Sequence, residues 1–389
     1  MEKNTIIYDV TLREGEQVAG ISFSPDEKVS IALELLAAGI THLEIGVWGI
    51  EEDEIAYNKL HSQLLKKQNI EISLALLPFE KLISKAVESS ILNFNLVWPC
   101  TQEFSQHLLG QQRITVIQML DTWVPHLVSS GKSLRIVMAD ASRLPVEDLQ
   151  QQLEECRKKF GVSKFILSDT LGILTPEKTI QMFKRLTRRL PFLEFGVHFH
   201  NDFGMAVANS LVAAEHGASL IQVSINGLGE RAGIAPMAEV VAALLKLYGC
   251  NIKIDLKKIL QISRKIEEMT GLISSLRMPI VGRSLFWTET ATHVFPLLDG
   301  HLEAIAPLSP DELGETYRIV LGKHTSKRLF NRLRNNLNVS KFNSVEELRE
   351  YARRKKQQYA NEIRSAMRKY LKAWERSIEY ITLVRRGEK

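Results

Sequence analysis

The first 250 or so residues alternate short apolar runs with longer amphipathic ones, eight times over. The short runs have the length of strands and cover Ile6–Val10, His42–Val47, Ile72–Leu77, Leu92–Val97, Leu134–Met138, Lys164–Leu167, Glu194–His198 and Leu220–Ser224. The longer runs have the apolar spacing of helices and cover Asp26–Ala38, Glu52–Leu65, Glu80–Glu88, Ile114–Val128, Val146–Lys159, Pro176–Leu190, Met205–His216 and Ala238–Tyr248. Eight strand–helix units predict an α/β fold, the (β/α)8 TIM barrel.

A doubly wound parallel sheet is the alternative fold. That fold usually has a glycine-rich phosphate-binding turn directly after its first strand. Residues 9–17 read Asp-Val-Thr-Leu-Arg-Glu-Gly-Glu-Gln and supply no such turn. The barrel is therefore favoured.

Three parts of the chain are predicted. Residues 1–254 form the barrel domain. Residues 255–330 form a linker and subdomain that carries His293 and Tyr317; it starts with a helix over Asp255–Thr270 and continues as an irregular stretch from Gly271 to about Lys323. Residues 331–389 form a C-terminal helical module, with one charged helix over Ser344–Tyr380.

Composition limits the partners and the compartment. The net charge is +5, and much of the basic excess lies in the C-terminal helix, where it predicts a solvated face and no nucleic-acid partner. Cys100, Cys156 and Cys250 lie far apart without a CxxC spacing, which predicts a reduced, cytoplasmic protein. The N-terminus runs directly into a strand, and no apolar run reaches about 18 residues, so neither a signal peptide nor a membrane partner is expected.

Polar residues cluster where the predicted strands end, which is where barrel enzymes carry their active sites. His198 and His200 close the seventh strand, and residues i and i+2 of a strand point to the same side. Glu14 follows the first strand, and Asn226, after the eighth, is a plausible weaker oxygen ligand. Two imidazoles, a carboxylate and an amide oxygen suit Mg²⁺, Mn²⁺ or Zn²⁺.

Such a metal site has open positions that can chelate an α-keto acid through its carboxylate and keto oxygens, with the ion acting as a Lewis acid. Arg13, beside Glu14, supplies a positive fork for a carboxylate or a developing oxyanion. Thr170 and Gln17 offer a hydroxyl and an amide for the same purpose. A barrel-mouth salt bridge for Arg13 and a helix cap for Thr170 are the structural alternatives.

Three ordered motifs resemble the homocitrate synthase and 2-isopropylmalate synthase family, the condensing branch of the DRE-TIM metallolyases. They are TLREGEQ at 11–17, HFHND at 198–202 and NGLGERAG at 226–233. Segments on the second, fifth and sixth strands, and the stretches Glu289–His293 and Val320–His324, resemble the nitrogen-fixation type of homocitrate synthase. The resemblance covers roughly residues 5 to 330.

The resemblance implies a metal-dependent Claisen condensation. Acetyl-CoA loses a methyl proton, the enolate attacks the keto group of an α-keto acid, and thioester hydrolysis releases CoA. The expected acceptor is 2-oxoglutarate, which gives homocitrate. The implied metal ligands are Glu14, His198 and His200, with Asn226 nearby, while Arg13 contacts the keto oxygen and Thr170 the carboxylate. His293 is implied to transfer the proton with help from Tyr317, in a homodimer whose C-terminal subdomain crosses to the other subunit.

The chain departs from the family pattern at several positions. Ala139 stands where the family usually has a glutamate, and Thr288 replaces a histidine. Trp48 replaces part of a smaller turn, and we expect it to shorten or flatten the acceptor pocket. These changes leave three alternatives open: a citramalate, isopropylmalate or specialised-metabolite synthase, a lyase that runs the reverse cleavage, and a non-catalytic relative that binds metal and keto acid.

Overall fold

The computed structural model describes residues 5–377 except 66, 68 and 336. Within these residues the chain divides into two compact units. The first runs to Ser275 and includes Pro279–Val281, and the second comprises Leu276–Met278 and the chain from Gly282 onward. The division into 1–254, 255–330 and 331–389 stays a prediction.

Eight parallel strands in the first unit form a closed barrel, in which each strand pairs with the next and the first pairs with the last. In chain order they are β1 (Ile6–Asp9), β2 (His42–Val47), β3 (Glu71–Leu76), β4 (Asn93–Pro99), β5 (Ser133–Ala139), β6 (Lys164–Asp169), β7 (Glu194–Phe199) and β8 (Ala218–Val223). The predicted TIM barrel is confirmed. Each strand begins and ends within two residues of its predicted bounds.

Helices connect the strands around the barrel. They are Thr11–Glu14, Pro25–Ala37, Glu51–Leu64, Glu80–Glu88, Gln102–Leu108, Arg113–Ser129, Val146–Phe160, Pro176–Arg189, Ala206–Glu215, Met237–Lys246 and Leu256–Thr270, with 3-10 turns at Gly15–Gln17, Ala141–Arg143 and Ile225–Gly227. Ser24 caps the second of these helices by accepting from the Glu27 N–H, and the Glu27 carboxylate accepts from the Ser24 N–H in return. The helix Gln102–Leu108 was not predicted.

A chain of polar side chains fills the centre of the barrel, where branched apolar residues are usual. The Asn95 amide nitrogen lies 2.8 Å from the Tyr8 hydroxyl and 3.1 Å from Ser73 Oγ, and it also contacts Glu44. Glu44 in turn accepts a hydrogen bond of 2.5 Å from Arg13 Nε. These contacts run from the barrel interior to the residues that follow β1.

The second unit is mostly helical. Its elements are β9 (Trp287–Thr288), paired with β10 (Arg318–Ile319), the helices Ala291–Asp299, Pro310–Leu313, Lys327–Leu333, Leu337–Ser340 and Val345–Ser377, and a 3-10 turn at Leu302–Ala304. Its core is formed by Phe330, Val339, Phe342, Val345 and Leu348.

One prediction for the second unit is wrong and another is confirmed. The stretch from Gly271 to about Lys323, predicted as irregular, contains the helix Ala291–Asp299, with Pro296 inside it. The charged C-terminal helix is confirmed over Val345–Ser377, and residues 378–380 of its predicted range lie outside the described residues. None of the described helices has both the length and the hydrophobicity required to cross a membrane.

Candidate metal centre

The turn after β1 and the end of β7 bring Glu14, His198 and His200 together. His198 Nε2 lies 3.8 Å from Glu14 Oε2, and His200 Nε2 lies 3.9 Å from Glu14 Oε1. One ligand atom from each residue lies within 4.8 Å of the others, and all three side chains are buried. In the described part of the chain, this is the only such cluster of three or more histidine, cysteine or acidic side chains.

The position of Glu14 is fixed by its own turn and by the loop after β8. The Asp9 carboxylate accepts from the Thr11 N–H at 3.1 Å and from the Thr11 hydroxyl at 2.5 Å, which shapes the turn. The Glu230 N–H donates to Glu14 Oε1 at 3.1 Å. A Cβ at Gly229 would lie only 3.0 Å from Glu14 Cγ, so this close approach favours glycine.

The two imidazoles differ in their hydrogen bonds. His198 Nδ1 lies 2.8 Å from the side-chain oxygen of Gln222, which can only accept, so Nδ1 carries the hydrogen. The lone pair of His198 is therefore on Nε2, the nitrogen that faces Glu14. His200 Nδ1 is buried without a hydrogen-bond partner among the described residues.

Burial and charge set the protonation states of the cluster. Burial lowers the pKa of His198 to about 3 and also lowers the pKa of His200, because the charged imidazolium loses its hydration. Burial acts to raise the pKa of Glu14, but the Arg13 guanidinium and the two imidazoles outweigh it and bring the pKa to about 2. At neutral pH the cluster is thus a carboxylate and two neutral imidazoles, which is the donor set that a divalent ion requires.

Arg13 lies between two acids. Its Nη1 contacts Glu14, and its Nε donates to Glu44, so the guanidinium is held from both sides while its side chain keeps 15% exposure. Glu44 and Gln222 were missed by the sequence analysis. The available signal was a polar side chain in the middle of an apolar strand, since a polar group buried there needs a partner.

Two further predicted substrate-binding residues lie on elements at the barrel mouth. With its amide nitrogen turned toward Glu14, Gln17 lies 3.1 Å from both carboxylate oxygens. Thr170 directly follows β6, and its hydroxyl accepts from the Asp140 N–H at 2.9 Å. Among the described residues the Thr170 hydroxyl hydrogen has no acceptor, so it is available to a ligand. The contact with the Asp140 N–H differs from the helix cap considered as an alternative.

Asn226 and Trp48 are not brought into the cluster. The left-handed backbone of Asn226 (φ 56°) places its side-chain oxygen 2.5 Å from Ser263 Oγ, on the helix Leu256–Thr270. Trp48 donates from its indole N–H to the Leu82 carbonyl at 2.9 Å and packs edge-on against Phe94, with ring centroids 5.8 Å apart. These contacts give no support to Asn226 as a metal ligand or to Trp48 as a wall of the acceptor pocket.

His293 and Tyr317 belong to the second unit. His293 is exposed, with Nδ1 3.3 Å from Thr290 Oγ1. Tyr317 packs edge-on against Phe286, and its hydroxyl is buried without a hydrogen-bond partner among the described residues. Burial raises the pKa of Tyr317. The proton-transfer roles of both residues stay predictions.

Comparisons with known proteins give the family and the fold of the chain. Residues 4–266 match the HMGL-like family. The chain is 34% identical over 322 residues to an (R)-citramalate synthase of Methanocaldococcus jannaschii, covering 83% of this chain and 65% of that protein. It is 32% identical over 332 residues to a homocitrate synthase of Methanopyrus kandleri, with coverages of 83% and 80%. It is also 32% identical over 327 residues to homocitrate synthase 1 of Nostoc, with coverages of 83% and 84%.

A solved structure shares the fold. The hydroxymethylglutaryl-CoA lyase of Pseudomonas aeruginosa superposes with a TM-score of 0.62 at 18% identity, covering 73% of this chain and 97% of that one. The first unit is thus a TIM barrel whose mouth carries two histidines and a carboxylate. The chain belongs to the HMGL-like family, and the predicted resemblance to the DRE-TIM metallolyases is confirmed.

Proposed function

We propose that the protein is a metal-dependent acyltransferase that condenses acetyl-CoA with an α-keto acid and releases CoA. The observation that carries the proposal is the buried cluster of Glu14, His198 and His200 with the Arg13 guanidinium directly beside it. Relatives named as homocitrate and citramalate synthases support the same class of reaction. The chain spans 65% of the length of the citramalate synthase it matches.

The barrel residues have separate tasks in this proposal. Glu14, His198 and His200 would hold the divalent ion, Mg²⁺, Mn²⁺ or Zn²⁺. When bound, the ion supplies Lewis-acid polarisation of the keto carbonyl. Arg13, held in place by Glu44, donates to the keto oxygen and stabilises the negative charge that develops on it. The Thr170 hydroxyl donates to the substrate carboxylate, and Gln17 lines the mouth beside Glu14.

The second unit supplies the groups for acetyl-CoA. His293 takes the proton from the acetyl methyl group at an imidazole nitrogen, and Tyr317 assists that transfer. The new bond joins the methyl carbon to the keto carbon, and water then cleaves the thioester. With 2-oxoglutarate the product is homocitrate, and with pyruvate it is citramalate. A cytoplasmic homodimer, in which the C-terminal subdomain of each subunit crosses to the other, completes the proposal.

The activity is tested by measuring free CoA with a thiol reagent. Purified protein is incubated with acetyl-CoA, one of the three metal ions and each member of a keto-acid panel. We expect release that requires both metal and keto acid, that a chelator abolishes, and that Glu14→Gln and His198→Ala lose. His216→Ala is the matched control, because His216 directly follows the helix Ala206–Glu215 and its Nδ1 lies 2.8 Å from the Val212 carbonyl oxygen, outside the cluster of Glu14, His198 and His200.

Three other results would contradict the proposal in distinguishable ways. No release with any keto acid would rule out the condensation. Metal-dependent stabilisation by a keto acid without turnover would indicate a non-catalytic binding relative. Cleavage of a 3-hydroxyacyl-CoA without any condensation would indicate a lyase.

A further inference from the structure

On the inward faces of β4 and β5, the residues nearer the mouth of the barrel are apolar, whereas those nearer its centre are polar or charged. Asn95 and Arg135 point inward, because Asn95 contacts the Tyr8 hydroxyl and the Arg135 guanidinium lies 5.6 Å from the centroid of the Tyr8 ring. Residues two positions further along a strand face the same way. The inward positions nearer the mouth are therefore Val97 and Pro99 on β4, and Val137 and Ala139 on β5.

The two valines border open space. Val97 and Val137 are paired in register, and both are partly exposed although their strand neighbours Leu96 and Met138 are fully buried. Val137 also packs against the inward cluster that contains Tyr8. The exposed surface of the valines therefore faces the inside of the barrel.

This apolar wall lies across the barrel from the metal centre. In a closed barrel of eight strands, β5 is opposite β1 and β3 is opposite β7. His198 is in register with Ser168 on β6, and Val137 is in register with Ile166, two residues earlier on that strand. In a (β/α)8 barrel the register also climbs toward the mouth by about one residue at each step from β7 to β6 and from β6 to β5. Val137 therefore lies about level with the His198 imidazole. A keto acid held at the metal centre by its carboxylate and keto oxygens would project its side chain across the barrel toward this wall.

Two cations inside the barrel, Arg135 and Arg13, already have acidic partners. Arg135 is the only basic residue in the described strands β3, β4 and β5. It forms a salt bridge with Glu71, lies over the Tyr8 ring and is 8% exposed. Arg13 is held by Glu14 and Glu44. A second substrate carboxylate against the valines would lose its hydration and would find Arg135 and Arg13 already paired, which is strongly unfavourable.

We infer that the acceptor is an α-keto acid with a short, uncharged side chain, such as pyruvate or 2-oxobutanoate, and that Val97 and Val137 select it. The inference rests on the proposed condensing function. It departs from the 2-oxoglutarate that the family resemblance implies.

The first test compares kcat/KM for pyruvate, 2-oxobutanoate, 2-oxoglutarate and oxaloacetate with acetyl-CoA. We expect the two uncharged acceptors to exceed the two dicarboxylates by about 100-fold or more, since an unpaired buried charge costs several kcal/mol. A kcat/KM for either dicarboxylate that equals or exceeds that of pyruvate would overturn the inference.

The second test assigns the selection to the valines. Val137→Ala and Val97→Ala enlarge the pocket, so we expect the ratio of kcat/KM for 2-oxoisovalerate over pyruvate to rise by about 10-fold, roughly the value of one or two buried methyl groups. Val124→Ala is the matched control, because Val124 is fully buried in the helix Arg113–Ser129. The same ratio in all three variants and the unmodified protein would overturn the role of the valines.

A binding measurement separates this inference from the proposed function. If no keto acid supports CoA release, the condensing function fails, but the pocket can still be tested by thermal unfolding with Mg²⁺ and each keto acid. We expect pyruvate to raise the melting temperature more than 2-oxoglutarate at equal concentration. The reverse order, or no stabilisation by the uncharged keto acids, would overturn the inference.

Discussion

The side-chain oxygen of Gln222 lies 2.8 Å from Nδ1 of His198, and this contact determines which imidazole nitrogen faces Glu14. Gln222 is on β8 and His198 on β7, so a neighbouring strand holds the proposed ligand in the tautomer that can bind metal. Loss of a hydrogen-bond partner of this kind commonly lowers metal affinity by about 10- to 100-fold.

Gln222→Leu removes the acceptor for His198 Nδ1. We expect the dissociation constant for Mn²⁺ or Zn²⁺ to rise by about 10- to 100-fold, because the imidazole loses its fixed orientation. Competition with a chromophoric chelator measures this change. Gln181→Leu is the matched control, since the Gln181 amide donates to Glu177 on an exposed helix surface. Equal affinities in the two variants would show that Gln222 does not orient the ligand.

Lys28→Met removes a buried cation that links the turn after β1 to β2. Lys28 is 1% exposed, and its Nζ contacts Glu16, Asp53 and the carbonyl oxygens of Leu12 and Ile45. We expect the free energy of unfolding to fall by about 3 to 5 kcal/mol, because the substitution leaves the buried Asp53 carboxylate unpaired. Chemical denaturation measures it.

The control for Lys28 is Lys59→Met, which breaks an exposed ion pair with Asp26. Exposed pairs contribute about 0 to 1 kcal/mol, so this variant should change little. Similar losses in both variants would contradict the structural role assigned to Lys28.

Asp9→Asn should change how stability depends on pH. Burial raises the pKa of Asp9 to about 7, against the hydrogen bonds from Thr11 that lower it. The folded protein therefore keeps a proton on Asp9 that the unfolded chain releases near pH 4. The stabilisation of the folded state by protonated Asp9 is complete below pH 4 and is lost as the pH rises to about 7. The rise in the Asp9 pKa from 3.8 to about 7 corresponds to a contribution of at most about 4 kcal/mol to the free energy of unfolding.

The asparagine variant carries no titrating group at this position. We expect its stability to fall less than that of the unmodified protein between pH 5 and pH 8, as measured by urea unfolding. Asp26→Asn, at an exposed position, should leave the pH dependence as it is. Parallel pH curves for Asp9→Asn and the unmodified protein would refute the raised pKa.

Trp48→Phe separates a packing role from a substrate-binding role. The variant loses the hydrogen bond from the indole N–H to the Leu82 carbonyl, so we expect a stability loss of about 1 kcal/mol. The ranking of keto acids by kcat/KM should stay the same, because the contacts of Trp48 are with Leu82 and Phe94. A changed ranking of the keto acids would support the prediction that Trp48 lines the acceptor pocket.

Local sequence patterns were sufficient to predict the barrel and the meeting of Glu14, His198 and His200 at its mouth. The alternation of short and long apolar runs is a local property, and so is the spacing that makes His198 and His200 point the same way. Glu14 could be added because parallel strands end at the same face of a barrel. Each of these inferences needs only the residue's own element and a general rule of topology.

Such rules could not predict which side chains of different elements contact each other. Glu44 and Gln222 act on residues of other strands, and the pairings Glu44–Arg13 and Gln222–His198 exist only once the strands are in register. Asn226 was assigned to the metal from its place after β8, but its positive φ sends the amide to Ser263. Trp48 was predicted to line the acceptor pocket from its position in a motif. The orientation of its side chain depends on the helix Glu80–Glu88, which supplies the Leu82 carbonyl that accepts from the indole N–H.

Glu14 is attached to the opening strand of the barrel and the two histidines to the seventh, with β8 alone between them. The pairing of β1 with β8 is the last one needed to complete the cylinder. An ion bound by these side chains would link β1 to β7 across β8, and so across the strand pair that closes the barrel. Its removal should therefore speed hydrogen exchange first at the amides of β1 and β8, well away from the middle strands.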